Sequence, residues 1–299
     1  VTAVDLSPGS PAWCARVSPS KAAAILGISP WDSQRSIWHL MRGDVPWPAS
    51  TDVMERGLLL EAGALAWWRN HHDHTSWADS SPLTIGDWCV ATPDGFATVD
   101  GEPVLVQAKT TSTLDHWGAP GTDEVPTYYA VQVLLEAHVA NFCGMPVRRI
   151  HIPVLGPRLE FFNYVVEYDP TVGAELLARM QDWYAALHDD QAPPPALDDS
   201  VATYDVMRQL HPDIDNGVEV ELTEDQAFAL VQPAMDGKAA AARERAGRSV
   251  VLEAMGRAQY ATCNGVRIAR RQPHGDSVRF VRVAETTTDF LTTSKGTAA

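Results

Sequence analysis

The chain is short of cysteine and of positive charge, and each shortage removes a class of explanation. Its four cysteines, Cys14, Cys89, Cys143 and Cys263, stand far apart with no C-x-x-C pair. Neither a zinc ribbon nor a disulfide scaffold is expected, and the usage fits a reduced cytoplasm. No apolar run approaches the roughly 20 residues that span a bilayer. The N-terminus lacks a charged-then-apolar signal, and its first residue, Val rather than Met, reads as trimming. Lys and Arg number 23 against 38 Asp and Glu, for a net charge of −15. That balance argues against bulk electrostatic capture of nucleic acid, so any DNA contact has to come from local basic groups. What is present suffices for a folded core: 299 residues, 45% hydrophobic, give one large domain or two smaller ones.

The stretch richest in chemistry is Cys89 to Thr111, CVATPDGFATVDGEPVLVQAKTT. Thr92-Pro93-Asp94-Gly95 has the composition of a tight turn, with Pro93 presetting its own φ and Gly95 able to take a left-handed one. Asp94 is thereby held at a bend. After a second turn at Asp100-Gly101, Val104 to Lys109 is apolar and β-branched enough for a buried strand, and a period of two puts Gln107 and Lys109 on one face. An acid on a turn, with a neutral oxygen and a lysine two apart on the next strand, suits phosphodiester hydrolysis by a bound divalent cation. Asp94 supplies charge, Gln107 a carbonyl oxygen, and Lys109 a cation to orient water and offset phosphate charge. Taken singly, P-D-G is a common surface turn and Q-x-K a common solvent-facing pair.

Upstream, Ser20 caps a helix over Lys21 to Leu26, ended by Gly27 and blocked by Pro30. Arg16 and Ser20 then stand before a helix N-terminus, which favours an anion; an ordinary cap and a surface arginine fit equally. Ser33 to Arg42 reads as a second helix, with Trp31 and Trp38 in the core. After the proline-rich Val45 to Ala49, a long helix from about Asp52 to Asn70 carries Glu61 at the edge of its Leu58, Ala62 and Leu65 stripe. His71, His72 and His74 read as a polar loop more than as metal ligands. Leu83 to Val90 and Phe96 to Val99 are expected strands. Ser112 to Pro126 is a polar loop suited to a flap over substrate. A helix from Thr127 to Asn141 carries Tyr129, Gln132 and Glu136, the last two on one face. Strands Ile150 to Leu155 and Phe161 to Val166 and a helix Pro170 to His188 complete a first domain, residues 1–190.

Gln191-Ala-Pro-Pro-Pro-Ala-Leu is the expected linker, residues 191–197, because three prolines force extension. Residues 198–299 then form an extension: a short helix Thr203 to Leu210, a long Ala-rich helical stretch from Thr223 to about Met255 broken at Pro233, and a basic hairpin. The hairpin, Gly265 to Arg271 and Ser277 to Val283, carries five arginines and is a candidate surface for DNA or a partner, or a plain solvated hairpin. Thr286 to Ala299 reads as a disordered tail.

Four segments, taken together, resemble a known family. TPDG followed by VLVQAKT resembles the PD-(D/E)xK nuclease signature. Arg16 to Trp31, RVSPSKAAAILGISPW, Met54 to Glu61, MERGLLLE, and Tyr128 to Val133, YYAVQV, resemble in order the motifs of the YqaJ-like viral recombinases, relatives of phage lambda exonuclease. The resemblance implies an α/β fold, a PD-(D/E)xK core whose central mixed sheet is flanked by helices. It implies a Mg²⁺-dependent exonuclease, with Mn²⁺ as substitute, that degrades one strand of a duplex end from its 5′ terminus. The 3′ strand left behind would pass to a single-strand annealing protein, and a ring-shaped homo-oligomer, a trimer, is implied, with no membrane role. Asp94, Gln107, Glu61 and the Ala108 backbone carbonyl would hold metal, and Lys109 would assist the water. Arg16, Ser20 and Thr92 would bind a terminal phosphate, with Tyr129 and Gln132 touching DNA or supporting the site. The family usually has Glu where this chain has Gln107. That departure keeps open a catalytically weakened DNA-end-binding module, and a sequence-specific endonuclease is the other alternative.

Overall fold

Val104, Leu105 and Val106 are buried on both sides, as only a strand inside a sheet covered on both faces can be. The computed structural model describes residues 4–79 and 81–282 and divides the chain into two compact units after Ile214. The first contains, in order, α1 (Pro11–Cys14), α2 (Pro19–Ile25), α3 (Gln34–Arg42), α4 (Asp52–His71), β1 (Thr75–Asp79), β2 (Leu83–Ile85), β3 (Cys89–Ala91), β4 (Gly95–Val99), β5 (Glu102–Val106), β6 (Lys109–Thr110), α5 (Thr127–Phe142), β7 (Arg149–Leu155), β8 (Phe161–Glu167), α6 (Pro170–Leu187) and α7 (Val201–Leu210). The expected mixed sheet is present. Strands β1, β4 and β5 pair antiparallel, β5 and β7 run parallel, and β8 pairs antiparallel with β7. Asp100 and Gly101 have φ of 51° and 80°, the left-handed pair a two-residue hairpin between β4 and β5 requires.

The expected single strand from Val104 to Lys109 is interrupted at Gln107 and Ala108. Val104 faces Arg149 and Lys109 faces Val154, so the offset to β7 is the same on either side of the break. Strands β5 and β6 are two pieces of one strand, end to end along β7. The alternation of side chains assigns the faces. Val104 and Val106 pack with Ala97 and with Trp68 of α4, whereas Leu105, Ile150 and Ile152 pack with Val133 and Ala137 of α5. Helices α2, α3 and α6 add a second cluster around Ile25, Trp38, Leu135 and Met180.

Several local readings are corrected. Leu83 to Val90 is no continuous strand; it folds back as the β2–β3 hairpin, turning at Gly86 with φ 58°. Gly95 is not left-handed: a Cβ there would lie 2.5 Å from the Trp77 ring, so close packing, not φ, demands glycine. The cap of α2 is Ser18, not Ser20, with Pro19 in the first turn where its missing N–H costs nothing. Strand β1 forms where the sequence suggests no element, because pairing with β4 overrides weak local propensity. Trp31 is 62% exposed rather than core.

Helix α7 lies beyond the proline-rich segment and still packs on α3 in the first unit, through a 2.7 Å hydrogen bond between the hydroxyls of Ser33 and Thr203. The second unit consists of α8 (Glu224–Met255), β9 (Tyr260–Cys263), β10 (Val266–His274) and β11 (Ser277–Arg282). Helix α8 continues through Pro233 instead of breaking there. A proline forfeits a single ladder hydrogen bond, and the Thr223–Gln226 capping box and the Ala-rich stretch beyond favour one continuous helix. The hairpin gains a third strand, β9, on the β10 edge. The tail from Thr286 to Ala299 lies outside the described residues.

Candidate active site

Pairing between β4 and β5 ends at Gly95 and Val106, so beyond that point the β5 edge has no neighbouring strand among the described residues. Asp94 fills the gap. Its Oδ2 accepts the Ala108 N–H at 2.6 Å, and its own N–H donates to Gln107 Oε1 at 3.2 Å. The turn is thereby pinned to the break between β5 and β6, and the Gln107 oxygen keeps one lone pair.

Helix α5 approaches from the Leu105 face. Lys109 Nζ lies 5.4 Å from the centroid of the Tyr129 ring, within cation–π range. Gln132 Nε2 donates to Glu136 Oε1 at 2.9 Å. Glu136 is 3% exposed, and its Oε2 has no partner. Helix α4 brings Glu61. Burial, then the Asp94 charge, raises the Glu61 carboxyl, opposed by Lys109. Burial also raises Asp94, opposed by Lys109 and by the hydrogen bonds from Ala108 and Gln107. Glu136 is pushed up to about 8 by burial, with Lys109 and Gln132 opposing and Asp94 and Glu61 adding. The three acids and the lysine thus come from separate elements into mutual electrostatic range.

One ammonium does not balance three carboxyls in a desolvated site, and the donor set is all oxygen, which suits a hard divalent cation. Among the described residues no group of three His, Cys, Asp or Glu side chains is arranged to enclose a metal ion. Mg²⁺ retains several waters and takes one or two carboxylates, so Asp94, Glu61 and the Gln107 carbonyl fit its chemistry.

The expected phosphate ligands are placed unequally. Val17 pairs in parallel with Cys89, which sets Ser18 and the first turn of α2 beside the strand leading to Thr92. Thr92 Oγ1 is buried without a partner, and the Ser20 hydroxyl meets that of Ser18 at 3.0 Å. Arg16 instead donates from Nη1 to the Ala12 carbonyl at 2.7 Å, with its Nε buried and unpartnered. Among the described residues no hydrogen bond links Arg16 to Ser20 or Thr92.

Two features escape the sequence. Lys21 is 3% exposed, and its Nζ donates to the carbonyls of Trp13, Cys14 and Arg16 at 2.6, 3.1 and 2.6 Å, 3.8 Å from the centre of the Trp13 ring. A lysine in the first turn of a small-residue helix carries no local sign of that cage. The second is an aromatic wall. Trp31 meets Tyr128 and Tyr129 at centroid distances of 5.0 and 6.1 Å, and Trp117 continues it from Tyr129 at 5.6 Å. The adjacent tyrosines are a weak signal; the loop position of Trp31 gives none. His71 and His72 stack on Trp67 and Trp68, and His74 tilts against Trp68.

The profile of the YqaJ-like viral recombinase domain matches residues 11–143. No curated protein matches the chain. Among solved structures, LHK-Exo in complex with dAMP is 19% identical, covering 59% of this chain and 90% of that one, with a TM-score of 0.45. The alkaline exonuclease LHK-Exo from Laribacter hongkongensis is 18% identical over 58% and 88%, with a TM-score of 0.43. A phage related exonuclease from Haemophilus somnus 129PT is 11% identical over 57% and 91%, with a TM-score of 0.38. The matched residues run from α1 to the end of α5 and so include Glu61, Asp94, Gln107, Lys109 and Glu136: it is this stretch of the chain that is similar to the YqaJ-like viral recombinase domain.

Proposed function

We propose that this chain is a divalent-metal-dependent deoxyribonuclease that degrades one strand of linear duplex DNA from its 5′ end, leaving 3′ single strands for phage-type recombination. The observation that carries the reading is the convergence of Glu61, Asp94 and Glu136 with Lys109 at the break in the central strand. Asp94 and Glu61 hold Mg²⁺ or Mn²⁺, with the oxygens of Gln107 and of the Ala108 backbone. The ion, when bound, supplies Lewis-acid polarisation of the phosphate and a more acidic water. Lys109 orients the attacking water and offsets charge developing on the phosphate. Glu136, held by Gln132, stands on the lysine side of the site as a further oxygen donor. Tyr129 fixes the Lys109 ammonium over its ring. Ser20, Thr92 and Arg16 receive the 5′-phosphate, with the unpartnered Thr92 hydroxyl as the strongest of the three. The single-strand annealing partner and the ring trimer rest on the family resemblance, and the cytoplasmic setting on the cysteine usage.

One observation favours a second reading, a DNA-end-binding module with weakened catalysis: Gln107 lacks the charge of a glutamate, and its oxygen already accepts the Asp94 amide. One experiment separates the two. Linear duplex labelled at the 5′ end is incubated with Mg²⁺, Mn²⁺, Ca²⁺ or EDTA, with phosphorylated and hydroxyl ends compared. Release of label with Mg²⁺ and Mn²⁺ only, faster from phosphorylated ends, supports the nuclease. Intact DNA in every metal, with ends still bound, leaves the binding module. Cutting of covalently closed circles would replace both with an endonuclease.

A further inference from the structure

Trp31 leaves 62% of its surface in solvent, on a loop whose backbone is pinned throughout. Between α2 and α3 every backbone N–H from residue 27 to residue 33 is donated, Pro30 having none to give. Gly27, Ile28 and Ser29 donate back into α2, Trp31 and Asp32 both donate to Ser29 Oγ at 3.1 Å, and Ser33 donates to Ser36 Oγ at 2.9 Å. A tryptophan serving only to fasten this loop would be buried, as the residue type is on average. Here an edge contact with Tyr128, at 5.0 Å between ring centres and 76° between planes, steadies the indole and leaves most of it uncovered. The ring also ends a connected series. Trp31 meets Tyr129 at 6.1 Å, and the Tyr129 ring carries the Lys109 ammonium at 5.4 Å, so two ring contacts lead from the exposed indole to the lysine of the candidate active site. Trp117 adds a fourth ring against Tyr129 at 5.6 Å and is itself seated on Tyr164 at 4.8 Å. Residues 26–32 contain no lysine or arginine, and an aspartate follows the tryptophan. The segment thus offers a ligand a flat apolar face and no positive charge.

We infer that Trp31, backed by Tyr128, is a stacking platform for an unpaired base at a DNA end, and that the chain selects ends with unpaired terminal nucleotides over flush ones. The identity of the ligand rests on the nuclease reading. A base laid on an aromatic ring contributes about 1–3 kcal/mol, with little dependence on sequence because every base has a π-face. A base inside a duplex has both faces covered by its neighbours and cannot use the ring; an unpaired one can. Because the loop is already held in place, stacking costs little ordering of the protein. The absence of a nearby cation separates this role from phosphate binding: the platform takes the base, while Ser20, Thr92 and Arg16 are left to the terminal phosphate.

The test uses the full chain in EDTA, so that no strand is cut. Fluorescence anisotropy compares a labelled blunt duplex with one of equal length whose ends are forked into unpaired thymidines, each across a range of salt. Wild type should bind the forked ends more tightly. Trp31→Ala should weaken forked-end binding by about tenfold or more and change blunt-end binding little. Its log–log salt slope should match that of the wild type, since no phosphate contact is removed. Trp31→Phe, which keeps a ring, should retain most of the affinity for forked ends. Wild-type chain that binds both ends equally, or neither, overturns the platform. So does a Trp31→Ala variant that loses nothing on forked ends, or that loses equally on both, which would make the ring a cap for flush ends or a part of the fold. A phenylalanine variant as weak as the alanine one also overturns it. Adding Mg²⁺ separates this inference from the reading beneath it. Selection of forked ends without release of label supports the platform and removes the nuclease, whereas release of label without selection removes the platform and leaves the nuclease standing.

Discussion

Gln132 Nε2 donates to Glu136 Oε1 at 2.9 Å across one turn of α5, while Glu136 Oε2 has no hydrogen-bond partner among the described residues. One half of a fully buried carboxyl is therefore satisfied and the other is not. A group in that position resists ionisation, and it also draws in any cation that can reach it.

The first prediction follows from that carboxyl. Glu136 titrates near 8 in the folded chain, against an ordinary 4.5. The unfolded chain loses this proton first as pH rises, so stability is fully present below about pH 4.5 and is lost as pH climbs through 8. In EDTA, the stability of Glu136→Gln against urea should gain on that of the wild type between pH 5 and pH 8, by on the order of a few kcal/mol at pH 8, while His151, held down to about 4 by burial, tilts both proteins the other way below about pH 6.5. A variant with the wild-type pH profile would show that Glu136 is ionised in the folded chain.

A second prediction concerns Lys109→Ala. The lysine is only partly buried and, in the proposed function, acts on the attacking water, so its loss should cut the cleavage rate by about 10²-fold or more while end binding and melting temperature stay nearly unchanged. Loss confined to kcat is the signature of a group that works in the transition state. Near wild-type digestion by this variant would remove the nuclease assignment.

The third prediction addresses position 107. Gln107→Glu keeps the oxygen that accepts the Asp94 N–H and adds the charge that Mg²⁺ uses to offset its dehydration. Half-maximal cleavage should then need less Mg²⁺ than in the wild type, and Mn²⁺, which the same oxygen donors suit, should rescue the wild type in part. Rate against metal concentration for wild type, Gln107→Glu and Glu61→Gln checks it; an unchanged or higher requirement in the glutamate variant would show that Gln107 is no handicap.

The fourth prediction isolates Lys21. Burial pulls its ammonium down to about 7 from 10.5, so the folded chain sheds a proton that the unfolded chain keeps. Stability gains from this group as pH rises from 7. The window closes near 9, where the Cys89 thiol, pushed from 9.0 to about 12 by burial, begins to act in the opposite sense. Lys21→Met leaves three carbonyls without their donor and should destabilise the chain by about 1–3 kcal/mol at pH 7, with the rise between pH 7 and 9 abolished. Equal urea midpoints for the two proteins at pH 7 would mean that water or another donor replaces the ammonium.

The parts of the site that could be read from the sequence are those fixed by short-range geometry. Gln107 and Lys109 share a face because a pleat has a period of two, and that holds even though the strand breaks between them. Helix starts at Ser33 and Thr223 were legible because a capping box is a local device. The Lys21 cage was not, because its acceptors belong to a turn whose position depends on the Val17–Cys89 bridge. Strand β1 was hidden for a similar reason: Thr75 to Asp79 is mostly exposed, and only its pairing with β4 makes it a strand. Trp31 was misread because hydrophobicity predicts burial on average, whereas this ring stands in a loop against two tyrosines.

The Ala108 amide is held by a side chain and not by a neighbouring strand, and this makes it a built-in reporter. An ordinary ladder amide exchanges its proton when the sheet opens; this one also exchanges when the Asp94 carboxylate lets go. Protonation of Asp94, or its rotation toward an arriving cation, should alter the Ala108 amide proton shift and exchange rate while Val104 and Leu105 stay silent. A single resonance in the middle of the molecule would then follow the filling of the site in solution, with no substrate and no turnover required.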